Sequence, residues 1–261
     1  MMGGWQDELR KLTAEALGTA FLLAAIVGSG IVVQPASGQP VGPASMQLFV
    51  HAVIIGVTLT AAILTFGPVS GAHFNPVVTL VDAAFGGMPW RRVWGYVAAQ
   101  LVGAMVGTIA TAATFGLPLV ELATTDRGGG GRAAAEVIAT AGLVLVIFGL
   151  VRSGGGPVVA PAVGAYITGA IVFTASDAFA NPAVTVARML TDTYTAIAPG
   201  SVPGFLAGQA IGAVAAALLV RWLFAPSPVE AARVVVPSGS AVEHRRSRDP
   251  GSDPLQPAGG A

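Results

Sequence analysis

Two Asn-Pro-small triplets, Asn75-Pro76-Val77 and Asn181-Pro182-Ala183, each interrupt an apolar stretch of the chain. An asparagine can cap the first turn of a helix, and proline fits that turn because its missing N–H has no partner there anyway. Each triplet therefore reads as the start of a short helix. A helix start carries the positive end of the backbone dipole, so two starts brought face to face would disfavour a cation between them. Proline and a buried amide are both costly at membrane depth. Appearing twice, they require elements that hold them there.

Those elements are long and apolar. The 261-residue chain is 54% hydrophobic and 10% charged, with mean hydropathy +0.74, whereas a soluble domain carries about a quarter charged residues. It reads as an integral membrane protein. Runs long enough to cross a bilayer, on the order of 20 residues, are Leu12–Val33, Met46–Phe66, Trp90–Phe115, Ala133–Val151, Pro157–Ala175 and Ser201–Phe224. The first is long for a secretory leader, contains Glu15 and lacks a small-residue cleavage site after it, so it reads as a span. Residues 1–11 form a short N-terminal segment. Residues 226–261, rich in Pro, Ser, Gly and charge, read as a disordered tail. The connection Leu117–Arg132, with its run of glycines, reads as flexible.

The spans divide into two similar halves, about 12–116 and 133–225. AEALGT (Glu15, Thr19) corresponds to AEVIAT (Glu136, Thr140), HFNPVVT to FANPAVT, and AAQLVGA (Gln100, Gly103) to AGQAIGA (Gln209, Gly212). The three matches keep the same order in both halves. Each half holds three spans, an odd number, so the two units must lie in the membrane with opposite orientations. The triplets fall between the second and third span of each half, in segments too short to cross, roughly Asn75–Phe85 and Asn181–Leu190. One half-helix then dips in from each side and the two starts meet. Irregular backbone at that depth must be buried in protein or line a water-filled cavity, and a pore is the expected cavity. The fold expected is all-α: six transmembrane helices plus two re-entrant half-helices, in inverted three-helix repeats.

Charge placement gives the orientation. Arg10, Lys11, Arg91, Arg92, Arg152 and Arg221 fall on the side of the termini, with the basic residues of the tail, and Arg127, Arg132 and Arg188 fall on the other. Both termini are therefore expected in the cytoplasm. Zero formal net charge argues against nucleic acid as a partner. The absence of cysteine excludes disulfides and thiolate sites, and three scattered histidines (His51, His73, His244) form no metal cluster or nucleophile–base pair. No metal, cofactor or enzymatic activity is expected. An ion-coupled secondary transporter also uses inverted repeats and broken helices. Its coupling carboxylates could only be Glu15 and Glu136.

The doubled triplets, the SGAHFNPVVT segment and the Glu- and Gln-bearing helices resemble the aquaporin, or major intrinsic protein, family over about residues 12–225. The resemblance implies a passive channel for water and small neutral solutes, a homotetramer in lipid with one pore per subunit, and Asn75 and Asn181 pointing amides into that pore. A water accepting from both amides would be turned, which interrupts a proton-conducting chain. The alternative is that the asparagines only cap helices. The resemblance implies that Glu15 and Glu136 hold the loops leading to the half-helices, and His73 a pore-lining or loop-holding role. Gln100 and Gln209 read as interhelical hydrogen-bond partners, and His51 has no visible partner.

Matched to the family pattern, the constriction falls on Ile55, Ile171 (or Val172), Ala178 and Val184. Family members commonly carry Arg at the last of these places. Val184 leaves an aliphatic, less polar ring. Arg188, four residues on, shares that helical face about 6 Å further out and reads either as a vestibule cation or as a half-helix C-terminal charge. Asp82, at the same offset in the first half, reads as facing the inner mouth. The segment NPAVTVARMLTDTYTAIAPG is similar to a bacterial aquaporin branch associated with arsenic resistance. That likeness implies residence in a bacterial inner membrane and passage of metalloid hydroxides such as arsenous acid, and of methylated arsenicals. A water or glycerol facilitator is the alternative.

Overall fold

The computed structural model describes residues 2–35, 39–40 and 42–224. The expected tail 226–261, with His244, lies outside the described residues. Eight α-helices follow in order: α1 Met2–Val33, α2 Ala44–Ser70, α3 Pro76–Phe85, α4 Trp90–Thr114, α5 Gly130–Arg152, α6 Val159–Phe173, α7 Pro182–Ala187 and α8 Val202–Leu223. Six are long and apolar enough to cross a membrane, and α3 and α7 are not. The described residues carry no strand. The first helix begins at Met2, ahead of the apolar run expected from residue 12. Its polar turns continue the helix because Lys11 pairs with Asp7 one turn back at 2.5 Å and Arg92 of α4 pairs with Glu8.

The halves pack in corresponding ways. α1 packs on α4 and α2, as α5 packs on α8 and α6, and each half-helix is wedged between α4 and α8. At the centre α2 crosses α6. Gly56 and Gly164 face each other there, and a Cβ on Gly164 would stand 2.5 Å from the Gly56 carbonyl oxygen. Only two glycines allow backbones that close. Thr60 Oγ1 reaches Ala160 O and Thr168 Oγ1 reaches Ala52 O, both at 3.4 Å. Those pairings run in opposite directions along the two helices, so α2 and α6, the second spans of the two halves, are antiparallel. The repeats are inverted. Large apolar side chains such as Trp94, Val57, Val214 and Trp222 cover the outer surface, as a lipid-facing wall requires.

The connection 117–132 is not the flexible loop that its glycines suggest. Glu121 N and Ala123 N donate to the carbonyls of Leu190 and Met189, and Ala198 N donates to Thr125 O. Asp192 accepts from the amide and hydroxyl of Thr124. The Gly128 amide and the Ser201 hydroxyl hold the Asp126 carboxyl below the usual carboxylate range. Polar side chains at both edges of the segment fasten it across the second re-entrant loop, and these contacts outweigh the freedom of the glycine run.

Candidate pore and its two mouths

Both half-helices start as the triplets predict. Asn75 is the N-cap of α3 and its Oδ1 accepts from Val77 N at 2.9 Å, while Asn181 caps α7 by accepting from Ala183 N and Val184 N at 3.0 and 3.3 Å. Pro76 and Pro182 occupy the first turns. The amide nitrogens are not wholly free, however. Asn75 Nδ2 donates to Ala180 O at 2.7 Å, and Asn181 Nδ2 donates to Phe74 O at 2.8 Å. The two starts thus meet and are tied reciprocally. Each side-chain amide has two protons, which leaves one on each asparagine for the cavity they both line.

The chain reaches these caps through strained turns. Ala72 and Phe74 before the first triplet, and Asp177, Ala178 and Ala180 before the second, have φ between 43° and 59°, a region L-residues avoid. Two buried carboxylates hold the turns in place. Glu15 accepts from Ser70 Oγ (2.6 Å), His73 N (3.0 Å), Phe74 N (2.7 Å) and Gln100 Nε2 (2.8 Å). Glu136 accepts from Phe179 N (2.9 Å), Ala180 N (2.8 Å) and Gln209 Nε2 (2.6 Å). Each glutamine also donates, at 2.9 Å, to the threonine four residues after its asparagine, Thr79 or Thr185. Both carboxylates are fully buried. Neither they nor the glutamines line the cavity.

One cavity, of about 60 Å³, lies between the halves. Its middle is bounded by Asn75 and Asn181. Toward the face carrying the 117–132 connection it is lined by Ile55, Ile171, Ala178 and Val184, and then by Arg188, Asp177, Phe179 and His51. All four constriction candidates are buried in this wall, whereas Val172, the alternative on α6, is 49% exposed on the outer surface. Toward the opposite face the lining includes Ile63, Ala72 and His73.

Two placements differ from the spacing argument. Asp82 does not face the inner mouth: it is buried on α3 with Oδ2 3.7 Å from His73 Nε2 and is absent from the cavity lining. The half-helix packs between α4 and α8, and the cavity-lining ring of His73, bonded through Nδ1 to Thr79 Oγ1 at 3.1 Å, stands next to Asp82. Arg188 is not one further turn of α7. The helix stops at Ala187 and tightens into a 3₁₀ turn over Arg188–Leu190. Its guanidinium stacks on the Phe179 ring, 3.4 Å from the centroid, and its Nε donates to Thr195 O. It is buried, lines the cavity, and at the same time stands as the C-cap of α7.

Two residues escape the sequence patterns, one in the cavity wall and one behind it. Arg127, from the connection, reaches in to pair with Asp177 Oδ2 at 2.6 Å, bonds the carbonyls of Ala196 and Tyr194, and also lies over the Phe179 ring, 5.4 Å from its centroid. No periodicity links positions so far apart in sequence. His51 lines the cavity, bonds Ser29 Oγ through Nδ1 at 2.7 Å, and meets Tyr194 edge-on. Its signal was present: it stands one helical turn before Ile55, on the same face.

The sequence profile of the family described as Major intrinsic protein matches residues 4–175. "Aquaglyceroporin AqpS" of Rhizobium meliloti is 41% identical over 221 residues, covering 85% of this chain and 93% of that protein. "Aquaporin NIP1-3" of Oryza sativa subsp. japonica is 33% identical over 215 residues, covering 80% and 71%. Among solved structures, the aquaglyceroporin from Plasmodium falciparum superposes with a TM-score of 0.64 at 20% identity, covering 81% of this chain and 95% of that one. That last likeness is one of fold.

Proposed function

The chain belongs to the major intrinsic protein family, and on that premise we propose that it is a passive channel for small uncharged solutes whose preferred cargo is metalloid hydroxides such as arsenous acid, with methylated arsenicals as further candidates. The relatives are channel proteins by name, which fits a transporter and not an enzyme. The observation that carries the substrate reading is the wall beyond the asparagines. Ile55, Ile171, Ala178 and Val184 line this stretch of the cavity with aliphatic side chains, and the nearest guanidinium, Arg188, is drawn back onto Phe179. A wall of this kind asks less desolvation of a bulky, weakly polar solute than a ring of fixed donors does, and it gives water fewer partners to hold.

A solute passing this ring next meets the remaining amide proton of each asparagine. A neutral oxygen can accept from them, while a cation faces two helix starts, each worth roughly half a positive charge. Glu15 and Glu136 have their oxygens occupied by loop amides, hydroxyls and glutamines, which leaves no carboxylate at midplane to couple an ion and favours passive flux. By the charge bias the termini lie in the cytoplasm. By the rhizobial relative the membrane is a bacterial inner membrane, and by family habit the assembly is a homotetramer.

Stopped-flow scattering of proteoliposomes in arsenous acid, glycerol and sucrose gradients tests the reading. Arsenous acid and glycerol flux well above that of empty vesicles is expected, with Val184→Arg lowering both by about tenfold or more. Fast water flux without arsenous acid uptake would assign the chain to the water facilitators. Flux that collapses with the proton gradient would make it a coupled transporter.

A further inference from the structure

We infer that His51 is a specificity-determining residue of the outer vestibule, a fixed hydrogen-bond acceptor that, together with the donors of Arg188 on the same cavity wall, selects small neutral solutes bearing hydroxyl groups. The inference rests on the channel reading above and concerns the same passage.

His51 lies on the face of α2 that continues through Ile55, Leu59 and Ile63, and all four line the cavity. Its tautomer follows from its neighbour. Ser29 sits inside α1, and its hydroxyl reaches the carbonyl of Ala25 one turn back, with the Ile26 carbonyl at 3.3 Å. Carbonyls only accept, and the close approach of Ser29 Oγ to Ala25 O is favourable only with a proton between the two oxygens, which assigns the hydroxyl proton to the backbone. What Ser29 Oγ presents to His51 Nδ1 across 2.7 Å is a lone pair. Nδ1 must then carry the ring proton, which leaves Nε2 bare. No donor among the described residues meets Nε2. Tyr194 packs against the ring at 5.5 Å between centroids and 85° between planes, which limits its rotation.

Arg188 is the complement. Its Nε is held by the Thr195 carbonyl and its plane lies on Phe179, so its orientation is fixed, and among the described residues its terminal nitrogens meet no protein acceptor. The vestibule wall thus offers guanidinium donors and an imidazole acceptor. A hydroxyl uses both, because its oxygen accepts and its proton donates. A polyol or a metalloid hydroxide carries several hydroxyls and can shed its water against such a wall before it enters the aliphatic ring. The chemical class selected is the small neutral polyhydroxy solute.

His51→Phe keeps the ring and its edge contact with Tyr194 and deletes the acceptor. In proteoliposomes it is expected to lower glycerol and arsenous acid permeability about fivefold relative to the water permeability of the same vesicles, the effect of one unreplaced hydrogen bond. His51→Gln, which carries an acceptor to a similar reach, is expected to restore most of that loss. Nitrogen-15 NMR of the histidine-labelled wild-type protein, with its three histidines assigned through Ser29→Ala, should show a protonated Nδ1 and a bare Nε2 on His51. Unchanged selectivity in His51→Phe, an equal loss in His51→Gln, or a ring protonated at Nε2 each overturns the inference. A wild-type protein no more permeable than empty vesicles would instead sink the channel reading, and the NMR result would still decide the tautomer.

Discussion

Replacing Glu136 by Gln removes a charge and one acceptor while keeping the size of the side chain. In the native turn the carboxylate receives three donors, Phe179 N, Ala180 N and Gln209 Nε2. A glutamine can keep its oxygen toward Ala180 and Gln209, but its amide nitrogen then points at the Phe179 N–H, donor against donor. Hydrogen bonds to an ionised group contribute about 1.5–3 kcal/mol each and neutral ones about 0.5–1.5, so one bond lost and two weakened amount to about 4 kcal/mol. Opposing the brace are Asp177, Ala178 and Ala180 in the left-handed region, at about 1–2 kcal/mol each, roughly the same total. The variant therefore lacks the means to hold the turn. Ala178 and the Ala180 carbonyl that anchors Asn75 should both relax. At about 2–4 °C per kcal/mol for a chain of this size, the apparent melting temperature should fall by about 10 °C, read as the loss of monodisperse protein on heating in detergent. Glycerol flux should fall with it. Glu15→Gln, at the corresponding site of the inverted repeat with four donors, should behave alike. A Glu136→Gln protein with native stability and native flux would refute the brace.

Other perturbations test separate contacts. Gly164→Ala puts a Cβ 2.5 Å from the Gly56 carbonyl oxygen and closer still to Thr60; forcing α2 and α6 apart should destabilise by about 1–3 kcal/mol, measured by the same thermal assay. Arg188→Ala removes the vestibule cation but leaves the Arg127–Asp177 pair, so the protein should stay folded while its preference among arsenous acid, glycerol and water shifts; unchanged solute selectivity would remove Arg188 from the vestibule role. Arg127→Ala loses the bonds to Asp177, Ala196 and Tyr194 and should loosen the 117–132 connection, seen as faster limited proteolysis within its glycine run.

The architecture was legible because membrane physics leaves few choices. Apolar runs of bilayer length, three per repeat, required inverted halves, and Asn-Pro triplets between spans required helix starts at depth. Those conclusions need only composition, order and spacing. For Glu15 and Glu136 the resemblance implied loop-holding and the inverted repeats left ion coupling as the alternative; the geometry favours loop-holding, because every oxygen of each carboxylate is engaged by the loop it supports or by the adjacent glutamine.

What spacing could not supply was direction. Counting four residues from Val184 to Arg188 assumed a continuing helix, and the chain left that helix at Ala187 to lay the guanidinium on Phe179. Counting seven from Asn75 to Asp82 gave the right element but a residue outside the cavity lining, next to His73. The partners of Arg127 and His51 come from other elements, Asp177 and Phe179 in one case and Ser29 and Tyr194 in the other. A sequence fixes periodicity within one element, and that determined the spans, the repeats and the paired helix starts of this protein. Which side chains meet across elements depends on how those helices pack and where loops fold back. That packing alone decided the make-up of the vestibule wall.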